Sequence, residues 1–187
     1  HVVQDDAVPL QVSEALAGYL RQEDITICQG LGYQKIGRSA NGIALTCHTS
    51  EGERVIEADQ VLAATGRNPN TGNLHLEKAG IALNRKGGVG VNAYMQTSHP
   101  DIYAVGDVTG QDMFVYMAAY GGKLAAHNAL NGNTHRYSND AMPWVVFTDP
   151  QMAAAGLTEV EAKAEGYDVI TSTITLAFTP IAESTPP

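Results

Sequence analysis

The chain runs 187 residues, 44% apolar and 17% charged, with 11 Lys/Arg against 20 Asp/Glu and a formal net charge of −9. An acidic balance with no basic run argues against nucleic-acid and anionic-membrane partners, because phosphate surfaces are held through a local Lys/Arg surplus. No apolar stretch approaches the ~18 residues a bilayer demands, and two cysteines cannot staple a secreted scaffold, so a cytoplasmic location is expected.

In chain order, His1-Val2-Val3 reads as a strand and residues 5–9 as a loop. Ser13 is placed to cap a helix on which Ala15, Leu16, Tyr19 and Leu20 share one face. Ile25-Thr26-Ile27-Cys28 is β-rich. Asn41-Gly42 signals a tight turn before a half-buried strand, with Ile43, Leu45 and Cys47 alternating against Ala44, Thr46 and His48. Val55-Ile56 and Val61-Leu62-Ala63-Ala64 continue the sheet into a Gly/Pro/Asn turn, which puts a domain edge near residue 69. Polar loops follow, then the apolar strand Ile102-Tyr103-Ala104-Val105, which breaks at Gly106-Asp107. A long Ala/Gly-rich helix is predicted from about Phe114 to Leu130, closed by Asn131-Gly132; Ala118, Gly122, Ala125, Ala126 and Ala129 give it a face of small side chains. The last third opens near Ser138, with a strand at Val145-Val146-Phe147-Thr148. A capping box follows at Thr158 and Glu161, with Leu157 as staple, then a helix ending at Gly166 and a Thr/Ile strand over residues 169–176. Because the chain opens on His1 and closes on Pro186-Pro187, it is expected to be an internal piece of a longer protein.

Most chemistry-bearing residues read as structural. Cys28 and Cys47 lie in strand-like segments without metal-ligand spacing, where a free Cys behaves as a small hydrophobe. The six histidines offer no His-x-x-x-His pair, and His127 and His135 flank a helix end as surface residues. No metal site is expected. Gly30-Leu31-Gly32 with Gly37 has the wrong spacing for a dinucleotide loop and does not open a helix.

The segment ending in Gly106-Asp107 differs. A buried strand feeding a helix puts a carboxylate at the carboxyl edge of a sheet, where open α/β sheets bind ligands. Gly106 permits close approach, Asp107 can accept hydrogen bonds from a sugar-like hydroxyl chain, and the next helix aims its positive end at an electron-rich group. Together these point to a nucleotide cofactor.

Three motifs carry a family resemblance. Ala63-Ala64-Thr65-Gly66-Arg67-Asn68-Pro69-Asn70 resembles the junction closing the NAD(P) domain of the pyridine nucleotide–disulfide oxidoreductases. Residues 97–107 resemble their second flavin-binding segment. Phe147-Thr148-Asp149-Pro150 with Gly156-Leu157-Thr158-Glu159 resembles the start of their dimerisation domain. The resemblance covers about residues 1–176 and implies an α/β fold: doubly wound FAD/NAD(P)-binding domains, then the start of an α+β dimerisation domain. The implied division is 1–69 (end of the NAD(P) domain), 70–137 (second FAD segment) and 138–187 (first part of the dimerisation domain, with 177–187 departing from the family pattern). Phe114-Val115-Tyr116-Met117-Ala118-Ala119, Asn128-Ala129-Leu130-Asn131-Gly132 and Ala141-Met142-Pro143 resemble the branch that reduces Hg(II) to Hg(0).

The resemblance implies a homodimeric flavoprotein using NADPH, FAD and a redox cysteine pair. Asp107 would bond the flavin's ribityl chain, and Val115 would face its pyrimidine edge with a backbone amide. Gly106 would give it room, and Gly66 would lie near the nicotinamide nucleotide. The family's Gly-x-Gly-x-x-Gly loops, redox cysteines and C-terminal metal-binding cysteines have no counterpart here, so no catalytic residue is expected in this chain. The alternatives are a dihydrolipoyl dehydrogenase or another disulfide reductase of the family, and a non-catalytic flavin-binding module.

Overall fold

The computed structural model describes residues 10–40 and 42–174. Helix α1 (Leu10–Gln22) leads to a meander of β1 (Gly32–Ser39), β2 (Gly42–Thr49) and β3 (Gly52–Ala58), paired antiparallel in that order. Two 3-10 turns follow, at Leu76–Ala79 and Gly106–Thr109. The long helix α2 (Val115–Asn131) comes next, then the hairpin of β4 (Pro143–Val146) and β5 (Met152–Ala155), and the short helix α3 (Glu159–Ala164).

Several elements are those the sequence predicts. β2 is the half-buried strand expected and buries Cys47 completely, but the expected alternation shows only at Cys47 and His48, since residues 42–46 are all half-buried. The α3 capping box is present in both halves: Glu161 donates its amide to Thr158 Oγ1 at 3.3 Å, and Thr158 donates its amide to Glu161 Oε2 at 2.7 Å. Others differ. α1 starts at Leu10, so Ser13 sits buried inside the helix rather than capping it. Gly42 begins β2 instead of forming the turn; its φ is +147°, and a β-carbon there would fall 2.6 Å from the Ala58 carbonyl oxygen. Residues 25–28, 61–64 and 102–105 are not strands: among the described residues no neighbouring strand pairs with them beyond one bridge from Gln96 to Tyr103. The expected strand over 169–176 is absent through residue 174, and residues 175–176 lie outside the described residues, as do the segments 1–9 and 177–187.

A hydrophobic core cluster joins Met95, Leu124 and Ala125, with Val91, Tyr103, Val105 and Tyr137 packed against it. α2 supplies its buried face through Met117, Gly121, Leu124, Ala125 and Asn128, a helical spacing. Of the predicted small-residue face only Ala125 is buried, Ala118 and Gly122 are half-buried, and Ala126 and Ala129 face outward. Asn128 is 1% exposed and fully satisfied. It donates to the carbonyls of Tyr94 (3.1 Å) and His135 (2.8 Å) and accepts from the amides of Thr134 (3.2 Å) and His135 (3.0 Å). It therefore binds the chain leaving α2 back onto the helix, a role that leaves no unpaired polar atom inside.

Candidate functional site

The Gly106–Thr109 turn carries Asp107 and packs against the first turns of α2. Gly106 has φ 72°, which favours glycine, and a β-carbon there would lie 3.0 Å from the Ala118 β-carbon. Its small size is thus demanded by the helix on one side, whatever approaches on the other. The turn is pinned from below by the 84–89 loop. Asn84 Nδ2 donates to the Thr109 carbonyl at 2.8 Å, and Asn84 Oδ1 accepts from the amides of Lys86 (2.9 Å) and Gly88 (3.1 Å). The Val89 amide donates to the Val108 carbonyl at 2.9 Å. Gly88 lies so close that a β-carbon would fall 2.3 Å from the Thr109 carbonyl oxygen. Thr109, 2% exposed, closes the turn by donating its hydroxyl to the Gly106 carbonyl at 2.7 Å.

Asp107 is left with its carboxylate half-exposed and ion-paired to Arg67, a partner the sequence reading did not single out. Arg67 also donates to the Met113 carbonyl at 2.8 Å, so one guanidinium spans the turn and the residue before the α2 cap. Arg67, Asn68, Pro69, Lys86, Gly110 and Met113 line a cleft of about 450 Å³. The one cue in the sequence was a lone cation in the turn Gly66-Arg67-Asn68-Pro69. Asn84, likewise unforeseen, sits where an Asx turn is expected, just before Arg85-Lys86-Gly87.

Val115 opens α2 and is 85% exposed. Phe114 occupies the N-cap with no side-chain cap bond, and the first turn holds no acidic residue, so the helix's free amides and positive end are open. The structure therefore brings Gly106, Asp107 and the start of α2 into one neighbourhood. Gly66 joins only through its chain neighbour Arg67: it lies in an exposed turn with φ 108° and open space beside its α-carbon. His127 and His135 touch ring to ring at 4.0 Å but are exposed, and among the described residues no group of three metal-ligating side chains occurs. No helix among the described residues is long and apolar enough to cross a membrane.

The family model "Pyridine nucleotide-disulphide oxidoreductase" matches residues 2–129, and the dimerisation-domain model of the same family matches residues 142–185. A mercuric reductase from Staphylococcus aureus is 44% identical over 172 residues, covering 92% of this chain and 31% of that protein. One from Bacillus cereus is 37% identical over 172 residues, covering 92% of this chain and 27% of the other. Among solved structures, the HOCl-induced flavoprotein disulfide reductase RclA from Escherichia coli superposes with a TM-score of 0.77 at 28% identity, over 96% of this chain and 42% of that one. LpdA from Mycobacterium tuberculosis superposes with a TM-score of 0.75 at 28% identity, over 88% and 36%. The chain thus spans about a third of the length of the curated relatives it matches.

Proposed function

Because the chain belongs to the pyridine nucleotide-disulphide oxidoreductase family, we propose that it is part of an FAD-dependent enzyme that reduces Hg(II) to Hg(0) at the expense of NADPH. The observation carrying this reading is the 44% identity to a mercuric reductase across 92% of the chain. The site's donor set supports the flavin half. Asp107 offers carboxylate oxygens suited to a polyol chain. The open amides at Val115 suit an electron-rich pyrimidine edge, where preorganised donors stabilise developing negative charge. Gly106 leaves the approach clear, and Gly66 is assigned to the nicotinamide nucleotide. FAD bound there would pass the electron pair of NADPH to a thiol pair outside this chain. The net change is NADPH and Hg(II) to NADP⁺, a proton and Hg(0). Thiolates suit that metal because soft ligands bind soft ions. Residues 1–69, 70–137 and 138–187 are assigned to the NAD(P), FAD and dimerisation segments of a homodimer acting in the cytoplasm.

The test is to express the full-length protein, measure bound flavin, and follow NADPH-dependent release of Hg(0). Asp107→Ala is expected to lose flavin on gel filtration; full flavin content in that variant rules out the assigned contact. A disulfide reductase is the second reading, favoured by the likeness to RclA and LpdA. A downstream cysteine pair supports mercury, and a downstream His-Glu dyad supports a disulfide substrate.

A further inference from the structure

Asp112 lies in the loop between the Gly106–Thr109 turn and α2, and its backbone is strained. Its φ is 38°, in the left-handed region that aspartate tolerates better than most residues but still at a cost. Such a conformation persists where surrounding groups over-determine it. Tyr137 donates its hydroxyl to Asp112 Oδ2 at 2.9 Å. Asn139 Nδ2 donates to Asp112 Oδ1 at 3.2 Å and to Oδ2 at 3.1 Å. On the backbone side, the Phe114 amide donates to the Asp112 carbonyl at 2.6 Å, so the strained residue bonds directly to the residue that caps α2.

The anchoring groups come from the strap that leads into β4, and the strap holds the helix at further points. The Ser138 amide donates to the Tyr120 hydroxyl at 3.3 Å, Tyr120 and Tyr137 pack ring on ring at 5.2 Å, and Tyr116 donates its hydroxyl to the Pro143 carbonyl. Tyr137 is itself fixed, packed on the core cluster with its amide donated to the Ala93 carbonyl at 2.7 Å. With Arg67 on the Met113 carbonyl, consecutive residues before the helix are gripped from different parts of the chain.

We propose that Asp112 is a positioning residue for the N-terminus of α2: its carboxylate, pinned by Tyr137 and Asn139, fixes where the open first-turn amides point. A flavin edge held by those amides inherits that placement, a consequence that rests on the flavin reading above. A carboxylate serving only as a surface turn residue would have no such reach.

The test uses the full-length protein, with Asp112→Ala, Tyr137→Phe and Asp112→Asn variants. Backbone hydrogen exchange at residues 118–121 is read without flavin, and the visible flavin spectrum and flavin release rate are read with it. Loss of a charge-assisted hydrogen bond is expected to speed exchange there on the order of tenfold in Asp112→Ala and Tyr137→Phe. The same variants are expected to shift the flavin band and hasten release. Asn keeps an acceptor oxygen and tolerates positive φ, so Asp112→Asn is expected to restore both readouts toward wild type. If the wild type is flavin-loaded and both disruptive variants exchange and absorb like it, the positioning role is overturned while the flavin reading stands. If exchange rises as expected but the wild type retains no flavin, the positioning of α2 stands and the flavin reading falls.

Discussion

At the scale of single residues, Arg67 and Asp107 are 61% and 43% exposed, so their ion pair is worth at most about 1 kcal/mol to folding. Its consequence lies in placement, because Arg67 ties the Asp107 turn to the residue ahead of the α2 cap. Arg67→Met is therefore expected to leave the thermal midpoint nearly unchanged while lowering flavin retention several-fold, read by denaturation scans and by absorbance after gel filtration. A loss of stability in step with the loss of flavin would instead mark Arg67 as a fold residue. Tyr137 gives a pH-dependent counterpart. Burial first, and then its hydrogen bond to Asp112, push the phenol above the ordinary tyrosine range. A raised pKa in the folded state contributes stability that is present below the unfolded tyrosine value and lost as pH rises through the folded one. Stability should therefore fall in strong alkali, and Tyr137→Phe should flatten that fall in an alkaline denaturation series. The apolar run ending in Gly-Asp made the break at Gly106-Asp107 legible, but not its setting: residues 102–105 form no strand, so Asp107 stands in a 3-10 turn against α2 rather than at the edge of a sheet. Arg67 and Asp112 were not legible, since their partners sit far along the chain or depend on a backbone angle.

At the scale of elements, what was legible follows local pattern. β2 shows apolar residues every second position in its sequence, α2 a long Ala-rich run closed by Asn131-Gly132, and α3 a capping box, each a signal complete within a few residues. β1 was missed because it is exposed along most of its length, so no period-2 contrast marks it, and a register shift between Tyr33 and Lys35 interrupts what pattern there is. β5 was missed because Met152-Ala153-Ala154-Ala155 has poor strand propensity and pairs only as the second arm of a hairpin. Two expectations belong here. A methyl group on Gly88 cannot fit beside the Thr109 carbonyl. Gly88→Ala should thus cost about 1–3 kcal/mol of stability and displace the turn carrying Asp107, seen as a lowered denaturant midpoint with reduced flavin content. In α3, the Thr158 amide first and the Thr158 hydroxyl second hold the Glu161 carboxyl below its ordinary value. That lowered pKa means protection of α3 is present above the usual glutamate range and lost as pH falls through the folded value. Amide exchange over residues 162–166 should rise in acid, and Thr158→Ala should raise it at neutral pH as well, by about 1 kcal/mol of helix stability.

At the scale of the whole molecule, the balance of apolar surface decides how the chain behaves alone. Among the described residues nine apolar side chains are buried, whereas twenty-one large ones are exposed, including Leu62 at 90%, Phe147 at 81% and Ile170 at 96%. The exposed set includes α2 (Val115, Leu130), the 61–62 segment, and α3 with its flanks (Val160, Leu157, Tyr167), so it does not form one patch that a single small ligand could cover. Exposed apolar area on this scale marks surfaces that associate, as a polypeptide spanning about a third of its relatives would present. The 187-residue chain on its own should therefore bind a hydrophobic dye strongly and elute from gel filtration as soluble aggregate; a dye-silent, sharply eluting monomer would contradict this. It should also release no Hg(0) with NADPH and FAD supplied, because Cys28 and Cys47 lie in different segments, the one half-buried and the other completely buried, and cannot act as an accessible thiol pair. Electrons reaching a flavin here would have no thiolate-held metal to go to. Mercury vapour evolved by the purified chain, at a rate that falls with Asp107→Ala, would overturn that expectation and assign to these residues a complete reaction.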